Sequence, residues 1–342
     1  MVELNGKKIL VTFLMHLGDL TLTTPFIHAL RKAAPDAHIT MLVDEKLKDV
    51  VLFNPYLDEV VTIDKKGRDN SILSLWACSR HLSKLDFDVL INLHPNERCS
   101  FIDAMTSVKL RTGMTHKIFK WFWDVFTPLD RSMHAADMYL DVLQQLGVQD
   151  LSNNGLEIFP GEEHFLEAEL FWQEQNITDQ DKLIGFNIGS AVPTKRWPPE
   201  RFAEVADIFA AKGYKTVFFG GPMDEEMVAE ATGYMQTRPI IATGHFAIGG
   251  LAAAMRRCCL IITNDSGPMH VAISQKVPIV AMYGPSNPKL YGPYTKDAVI
   301  VTAQPPCQGC ADGMKHSCDD LQCMSRMTVE QVVAAAEKML EK

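Results

Sequence analysis

A repeated alternation of short apolar runs with amphipathic stretches limits the fold of this chain more than any other feature. In the first half, the runs that fit buried parallel strands are residues 8–14, 38–43, 60–64 and 88–93. From Leu183 the alternation restarts, with runs that begin at Leu183, Thr216, Pro239, Leu260, Pro278 and Ala298. This alternation is typical of doubly wound α/β domains. The sequence therefore predicts an α/β chain with two parallel-sheet domains.

Turn-forming residues at 150–161 predict the linker between these halves. The predicted domains are residues 1–155 and 156–325, and a final helix at 326–342 is expected to return to the first domain. Thr328 and Gln331 have the spacing of a capping box at the start of that helix.

Composition narrows the class of protein. A length of 342 residues suits two ordinary domains, and a formal charge of −9 argues against a nucleic-acid partner. The N-terminal apolar run is too short and too polar for a signal peptide or a spanning helix, so a cytoplasmic location is expected. Eight cysteines in such a chain favour reduced thiols or metal ligands over disulfides.

The stretch 259–284 places a polar turn between two apolar runs. Asp265, Ser266 and Gly267 precede Pro268, which suits the first turn of a helix. A strand followed by such a turn and a helix directs backbone N–H groups toward the carboxyl edge of a sheet, where a phosphate can bind. The alternative is that Asp265 and Ser266 only cap the helix.

An acid also follows the first predicted strand. Gly18 is expected to let the backbone turn tightly, and Asp19 then lies where an α/β sheet places catalytic groups. The alternative is that Asp19 only caps a helix. Pro25 allows either one kinked helix or a second helix start capped by Thr23 and Thr24.

Residues 263–270, T-N-D-S-G-P-M-H, with Tyr-Gly-Pro at 283–285, resemble the donor signature of glycosyltransferase family 9, the bacterial lipopolysaccharide heptosyltransferases. Gly18-Asp19 and residues 22–25 are similar to the opening pattern of that family. The resemblance implies a GT-B fold, in which two Rossmann-like domains face each other across a cleft. It also implies inverting, metal-independent transfer of a heptose or related sugar from an ADP-sugar to the lipopolysaccharide inner core, with no cofactor.

The same resemblance implies the roles of individual residues. Asp19 is the general base in the N-terminal acceptor domain, and Lys195 binds the donor diphosphate in the C-terminal donor domain. Asp224 or Glu225 binds the ribose, with the register between them left open. The predicted donor-binding residues are Ser190, Thr194, Lys195, Asp224, Glu225, Asp265, Ser266, Gly267 and His270.

The predicted acceptor is an anionic, lipid-linked saccharide. Its candidate ligands are Thr23, His94, Asn96, Arg98, Lys117 and Lys120. The lysines precede Trp121-Phe122-Trp123, and cations beside aromatic rings suit a phosphorylated lipid or the membrane surface. The alternatives are a solvated loop at residues 94–98 and an ordinary amphipathic helix that packs the aromatic residues into the core.

Two further alternatives remain. Four cysteines, Cys307, Cys310, Cys318 and Cys323, could hold a structural zinc ion outside the chemistry. The function could instead be that of an NAD-type oxidoreductase, or of a nucleotide- or lipid-binding protein without activity. The first strand lacks the G-x-G-x-x-G fingerprint, which weakens the oxidoreductase hypothesis.

Overall fold

The structure, a computed structural model, describes residues 2–128, 130, 132–303, 318 and 321–341. The chain divides into two compact units, Met1–Phe159 and Pro160–Lys342. The division falls inside the predicted linker, a few residues after the predicted boundary at 155.

The first unit contains one parallel sheet and the helices that connect its strands. Its strands are β1 (Lys8–Thr12), β2 (His38–Asp44), β3 (Glu59–Ile63), β4 (Val89–Asn92), β5 (Leu110–Gly113) and β6 (Val125–Phe126). Its helices are α1 (Leu17–Thr21), α2 (Thr24–Ala33), α3 (Ile72–Ser83), α4 (Glu97–Met105) and α5 (Ala135–Gln145), with 3-10 segments at Glu45–Val50 and Lys117–Phe122. The strand order is β3-β2-β1-β4-β5-β6, which is the Rossmann order.

The second unit repeats this plan. Its strands are β7 (Leu183–Asn187), β8 (Lys215–Phe219), β9 (Ile240–Ile241), β10 (Cys258–Asn264), β11 (Ile279–Met282) and β12 (Ala298–Val301). Its described helices are α6 (Glu162–Glu174), α7 (Pro199–Ala211), α8 (Glu225–Tyr234), α9 (Ile248–Met255), α10 (Gly267–Ser274), α11 (Pro288–Tyr291), α12 (Gln322–Ser325) and α13 (Val329–Leu340). The strand order β12-β11-β10-β7-β8-β9 is the Rossmann order again, read from the opposite edge. The predicted pair of doubly wound sheets is confirmed.

The sequence did not predict β5 and β6, which enclose the aromatic segment Lys117–Phe122. That segment is a 3-10 helix without a buried residue, so the alternative of an amphipathic helix packed into the core is wrong. Of the three consecutive aromatic residues Trp121, Phe122 and Trp123, only Trp123 is buried. Its Nε1 donates to the carbonyl of Thr112 at 3.2 Å.

The final helix α13 begins with the predicted capping box, in which Gln331 N–H donates to the Thr328 hydroxyl. Its expected assignment to the first domain is corrected by its packing. It lies against α7 and against β10, β11 and β12, and its apolar residues belong to the core of the second unit. The apolar face of an amphipathic helix is stabilised when it packs against other apolar residues, and here the second sheet provides them. Within the described residues, no helix has both the length and the apolar character that crossing a membrane requires.

Candidate active site

The strand order of the second unit reverses between β7 and β10, which lie side by side as parallel neighbours. In open parallel sheets the carboxyl ends of two such strands leave a crevice in which ligands bind. Here the β10 end leads directly into Asp265, Ser266 and α10. The β7 end leads into a loop with a 3-10 turn at Pro193–Lys195. The predicted donor residues of both loops therefore meet at one edge.

A buried ion pair joins these two loops. Lys195 Nζ lies 2.7 Å from Asp265 Oδ2, and both side chains are largely shielded from water. The hydroxyl of Ser286, which follows β11, donates to the same carboxylate oxygen at 2.5 Å. The Lys195 side chain is thus held in place by a neighbouring carboxylate. Ser286 was not predicted, because nothing local marks the partner of an acid 21 residues away.

Ser266 does not cap α10 through its side chain, so the capping alternative fails for this residue. Its hydroxyl accepts from Asn187 Nδ2 at 2.8 Å, and the same amide donates to Thr263 at 3.1 Å. Asn187 ends β7 and fixes the α10 entrance to the strand beside it. Asn187 was not predicted, although an amide at the end of an apolar strand was a usable signal. The first N–H groups of an α-helix have no acceptor within the helix. In α10 these groups lie at its start, at Ser266 and Gly267.

The β7 loop is anchored from below by Trp197. This side chain is fully buried, and its Nε1 donates to the carbonyl of Met327 at 3.1 Å. Its backbone N–H donates to Asn264 Oδ1 at 3.1 Å, while Asn264 Nδ2 donates to the carbonyl of Ile188 at 2.7 Å. Trp197 therefore orients the loop.

The remaining loop residues support the same geometry. Ser190 and Thr194 are buried, and the Ser190 hydroxyl lies 3.4 Å from the carbonyl of Asp265. Arg196 Nε donates to the carbonyl of Ser190 at 2.9 Å, which gives this arginine a role in the loop rather than on a free surface. His270 is buried within α10, so little of its side chain is open to a ligand.

The two acids considered for ribose binding occupy different places. Asp224 Oδ2 accepts from the N–H of Gly221 at 2.9 Å, and its carboxylate covers Gly189, where an added Cβ would lie 2.1 Å from Oδ1. Glu225 is exposed, and its carboxylate lies beside Gly244, whose φ is +74°. The Asp224 carboxylate is therefore committed to the loop, while that of Glu225 faces solvent.

Tyr283 follows β11 directly and is fully buried. Burial, and then the charge of Asp265, raise the pKa of Tyr283 well above its ordinary value, so it stays neutral. Its hydroxyl donates to the carbonyl of Tyr291 at 2.9 Å.

In the first unit, Asp19 is the third residue of α1 and is half-buried. His16 holds the N-cap position, so Asp19 is not the cap residue of this helix. Gly18 lies inside α1, and its φ is not positive, so the tight turn expected at this glycine is wrong.

The helix α1 ends before Thr23, and α2 starts at Thr24. Of the two alternatives for this segment, the second helix start is therefore the one observed. The threonine side chains do not cap α2: the Thr23 hydroxyl donates back to the carbonyl of Leu20 at 2.7 Å. Thr23 is 0% exposed, so it has no surface for the predicted contact with an acceptor.

A cationic side chain that was not predicted supports the loop between β1 and α1. Lys65 Nζ donates to the carbonyls of Leu14 and Met15, both at 2.8 Å, and lies 3.1 Å from Asp44 Oδ2. The signal in the sequence was a lysine just after an apolar strand.

His94 follows β4 and lies beside this loop, 5.6 Å from the ring of Phe13. Burial, and then the charges of Lys65 and His16, lower the pKa of His94 to about 4. The imidazole is therefore neutral near pH 7, and it is placed at the edge of the sheet that carries Asp19.

The other predicted acceptor residues differ in how available they are. Asn96 is the N-cap of α4 and accepts from Cys99 N–H at 2.7 Å, so its side-chain oxygen is already used. Arg98 donates to the carbonyl of Lys65 and, at 2.7 Å, to Asn70 Oδ1. Lys117 and Lys120 are exposed, and Lys120 Nζ lies 5.0 Å from the ring centroid of Phe126.

The proposed zinc site falls mostly outside the described residues, because Cys307 and Cys310 are not among them. Cys323 is buried beside Gly284, where an added Cβ would lie 3.2 Å from its sulfur. Among the described residues, no group of three or more potential ligands could hold a metal ion.

Comparisons with known proteins concern the family and the fold of this chain. The model of glycosyltransferase family 9 (heptosyltransferase) matches residues 75–318. A crystal structure described as glycosyl transferase family 9 from Veillonella parvula DSM 2008 is 54% identical, with a TM-score of 0.95 and 99% of each chain covered. Lipopolysaccharide heptosyltransferase 3 of Escherichia coli K12 is 25% identical over 94% of this chain and 95% of its own. The structure of E. coli ADP-heptose lps heptosyltransferase II shares the fold, with a TM-score of 0.81 at 21% identity over 98% of each chain.

Proposed function

This chain belongs to glycosyltransferase family 9, and from that premise we propose that it transfers a heptose from an ADP-linked donor to the inner core of lipopolysaccharide. Its two Rossmann-like sheets are those of the GT-B class. The names of the relatives support the substrate pair, and the observation that carries the proposal is the polar edge between β7 and β10.

The donor diphosphate is proposed to bind at that edge. An ammonium group has three N–H donors, so Lys195 can bind a phosphate oxygen while it keeps its contact with Asp265. The N–H groups at the entrance of α10 and the positive end of its dipole add to the attraction. Asp265 itself would repel phosphate, so its role is to position Lys195. Ser190, Thr194 and His270 shape the surrounding loop and helix.

The ribose is proposed to bind Glu225 rather than Asp224. A carboxylate that faces solvent can accept from two vicinal hydroxyl groups, whereas one oxygen of Asp224 already accepts from Gly221. The neighbouring Gly244 turn is the proposed wall of the base pocket.

Asp19 is proposed as the general base. It would take the proton of an acceptor hydroxyl while that oxygen forms a bond to the anomeric carbon from the face opposite the diphosphate. The bond between the anomeric carbon and the phosphate oxygen breaks, and ADP leaves with the electron pair. Because the new bond forms on the face opposite the bond that breaks, the anomeric configuration is inverted. Lys195 and the α10 N–H groups stabilise the leaving diphosphate, and the proposed reaction therefore needs no metal ion.

The acceptor is proposed to bind the first unit, on the sheet edge that carries Asp19, His94 and Lys65. Arg98, Lys117 and Lys120 supply positive charge there for an anionic, lipid-linked saccharide. The proposed place of action is the cytoplasmic face of the inner membrane.

The purified protein, an ADP-heptose donor and an inner-core acceptor test this function directly. We expect a heptosylated product of inverted anomeric configuration by NMR, and full activity in excess chelator. A product with retained configuration would disprove the inverting mechanism, and loss of activity in chelator would disprove metal independence. Family membership already argues against the oxidoreductase alternative. Binding of ADP-heptose without turnover would instead support the non-catalytic alternative.

A further inference from the structure

Exposed apolar side chains gather at two places in the first unit. At the start of α3, Ile72 and Leu73 are 73% and 78% exposed, and Trp76 is half exposed. In Lys117–Phe122, Ile118 is 62% exposed and Trp121 is 94% exposed. Water-exposed apolar residues scattered singly are ordinary, but grouped ones mark interaction surfaces.

The two groups flank one helix end. At the start of α4, Arg98 donates to Asn70 Oδ1 at 2.7 Å, just before α3, and Glu97 lies 4.0 Å from His116, just before the 3-10 segment. Along the helix, α3 and α4 pack together, and the ring centroids of Phe101 and Phe119 lie 6.4 Å apart. Both groups of exposed apolar residues therefore border α4, and together they are called the docking surface: Ile72, Leu73, Trp76, Ile118, Trp121 and Phe122.

Cations accompany these rings although the chain as a whole carries a formal charge of −9. The guanidinium of Arg80 lies 5.9 Å from the Trp76 ring, and Lys117 and Lys120 are exposed in the 3-10 segment. Of the nearby acids, Asp124 accepts from the backbone N–H of Arg111 at 2.7 Å, and Glu97 faces His116. The lysines thus present positive charge beside the apolar side chains.

The docking surface adjoins the edge that carries Asp19. Besides Asn70, Arg98 binds the carbonyl of Lys65, and Lys65 Nζ binds the carbonyls of Leu14 and Met15, just before α1. A bilayer against this surface would therefore lie next to the loop that leads into α1.

We propose that the docking surface inserts its aromatic and aliphatic side chains into the interfacial region of a bilayer that contains anionic lipids. Lysine ammonium groups meet lipid phosphates, while tryptophan and isoleucine enter the headgroup and acyl boundary. The inference rests on the proposed function, because a lipid-linked acceptor lies in such a bilayer. Lys117 and Lys120 then serve the bilayer surface rather than the saccharide alone.

Vesicle sedimentation tests the proposal without any acceptor. The probe is phosphatidylethanolamine vesicles with phosphatidylglycerol, compared with phosphatidylcholine vesicles. The test variant is L73S/I118S/W121S, and the matched control is L166S/L170S/I241S, which removes three exposed apolar side chains of the second unit. We expect the wild type and the control to bind the anionic vesicles, and the test variant to bind at least about tenfold more weakly. Binding by the wild type should weaken with salt.

A second measurement separates this inference from the proposed function. Transfer to a water-soluble saccharide acceptor without lipid should be equal in the wild type and the test variant. Absence of vesicle binding by the wild type, or equal binding by the test variant, would overturn the docking surface. Loss of transfer to the soluble acceptor in the test variant would also overturn it, because the surface would then bind the saccharide. If no protein transfers heptose but vesicle binding follows the pattern above, the proposed function fails and the docking surface stands.

Discussion

The ammonium group of Lys195 lies 2.7 Å from the carboxylate of Asp265, although the two residues belong to different loops at the edge of the second sheet. Both side chains are mostly buried, so each depends on the other for its charge to be tolerated. The pair fixes a cation at the crevice before any ligand arrives, and a cation held in place loses less freedom on binding than a mobile one.

Lys195→Ala should therefore have two effects. Removal of a charged donor should weaken ADP binding about 10- to 100-fold. It should also leave Asp265 without its partner, which should lower the free energy of unfolding by about 3 kcal/mol. Calorimetric titration with ADP and urea unfolding measure the two effects separately.

A double variant distinguishes these effects. K195M/D265N removes both charges, so stability should recover relative to Lys195→Ala while ADP binding remains weak. Recovery of ADP binding together with stability would show that Lys195 only supports the fold. The donor role would then be wrong.

Asp19→Asn should lower kcat at least about a hundredfold, because general-base catalysis contributes about 10²- to 10⁴-fold, and ADP binding should stay unchanged. Steady-state transfer and ADP titration measure the two quantities. The control is Glu330→Gln, which neutralises an exposed first-turn acid of α13 and should leave kcat unaltered. A parallel loss of ADP binding and of kcat in Asp19→Asn would contradict the base role.

Gly189→Ala should disturb the donor loop, because the new Cβ would lie 2.1 Å from Asp224 Oδ1. We expect a loss of about 1–3 kcal/mol in stability and a higher KM for the donor. The double variant G189A/D224A removes the obstructing carboxylate and should recover the stability. Gly233→Ala in α8, where the added Cβ would meet no atom within 4 Å beyond its chain neighbours and the backbone of its own helix, serves as the control. An unaltered KM in Gly189→Ala would show that this loop does not contact the donor.

Asp103 predicts a pH dependence of stability. It is fully buried behind β1, where Thr12 Oγ1 donates to it at 2.9 Å, and burial raises its pKa to about 8. The unfolded chain releases this proton near pH 4, so the stability contributed by the neutral acid is full below pH 4 and is lost as pH rises to about 8. Asp103→Asn stays neutral throughout and should gain stability relative to the wild type by up to about 1.4 kcal/mol per pH unit in that window.

Urea unfolding at several pH values between 5 and 8 measures this difference. Asp179→Asn, which alters an exposed acid of the second unit, should follow the wild type at every pH. A constant offset between Asp103→Asn and the wild type would show that Asp103 is ionised in the folded protein.

Much of the fold was predictable because apolar periodicity reports directly on burial. The apolar runs that begin at Lys8 and Leu183 contain the strands Lys8–Thr12 and Leu183–Asn187, because a parallel strand that is buried on both faces is mostly apolar. β5 and β6 were not predicted because they are only four and two residues long. They also lie beside a segment whose aromatic residues indicated a lipid contact or an amphipathic helix rather than strands.

Local spacing predicted the sites less completely. The Asp265-Ser266-Gly267 turn and Asp19 were visible because their neighbours in the sequence define a strand end and a helix start. The contacts that Asn187, Ser286 and Lys65 make were not predicted, since each of these residues reaches its site across tens of residues.

By itself, the sequence determined two doubly wound sheets, the polar residues that follow their strands and the family of the chain. Only the tertiary structure decided that Lys195 pairs with Asp265, that Thr23 is buried and that α13 covers the second sheet. The physical reason is that periodicity records whether a side chain faces water or the core, a local property. The choice of partner for a buried polar group depends on which distant segments fold beside it.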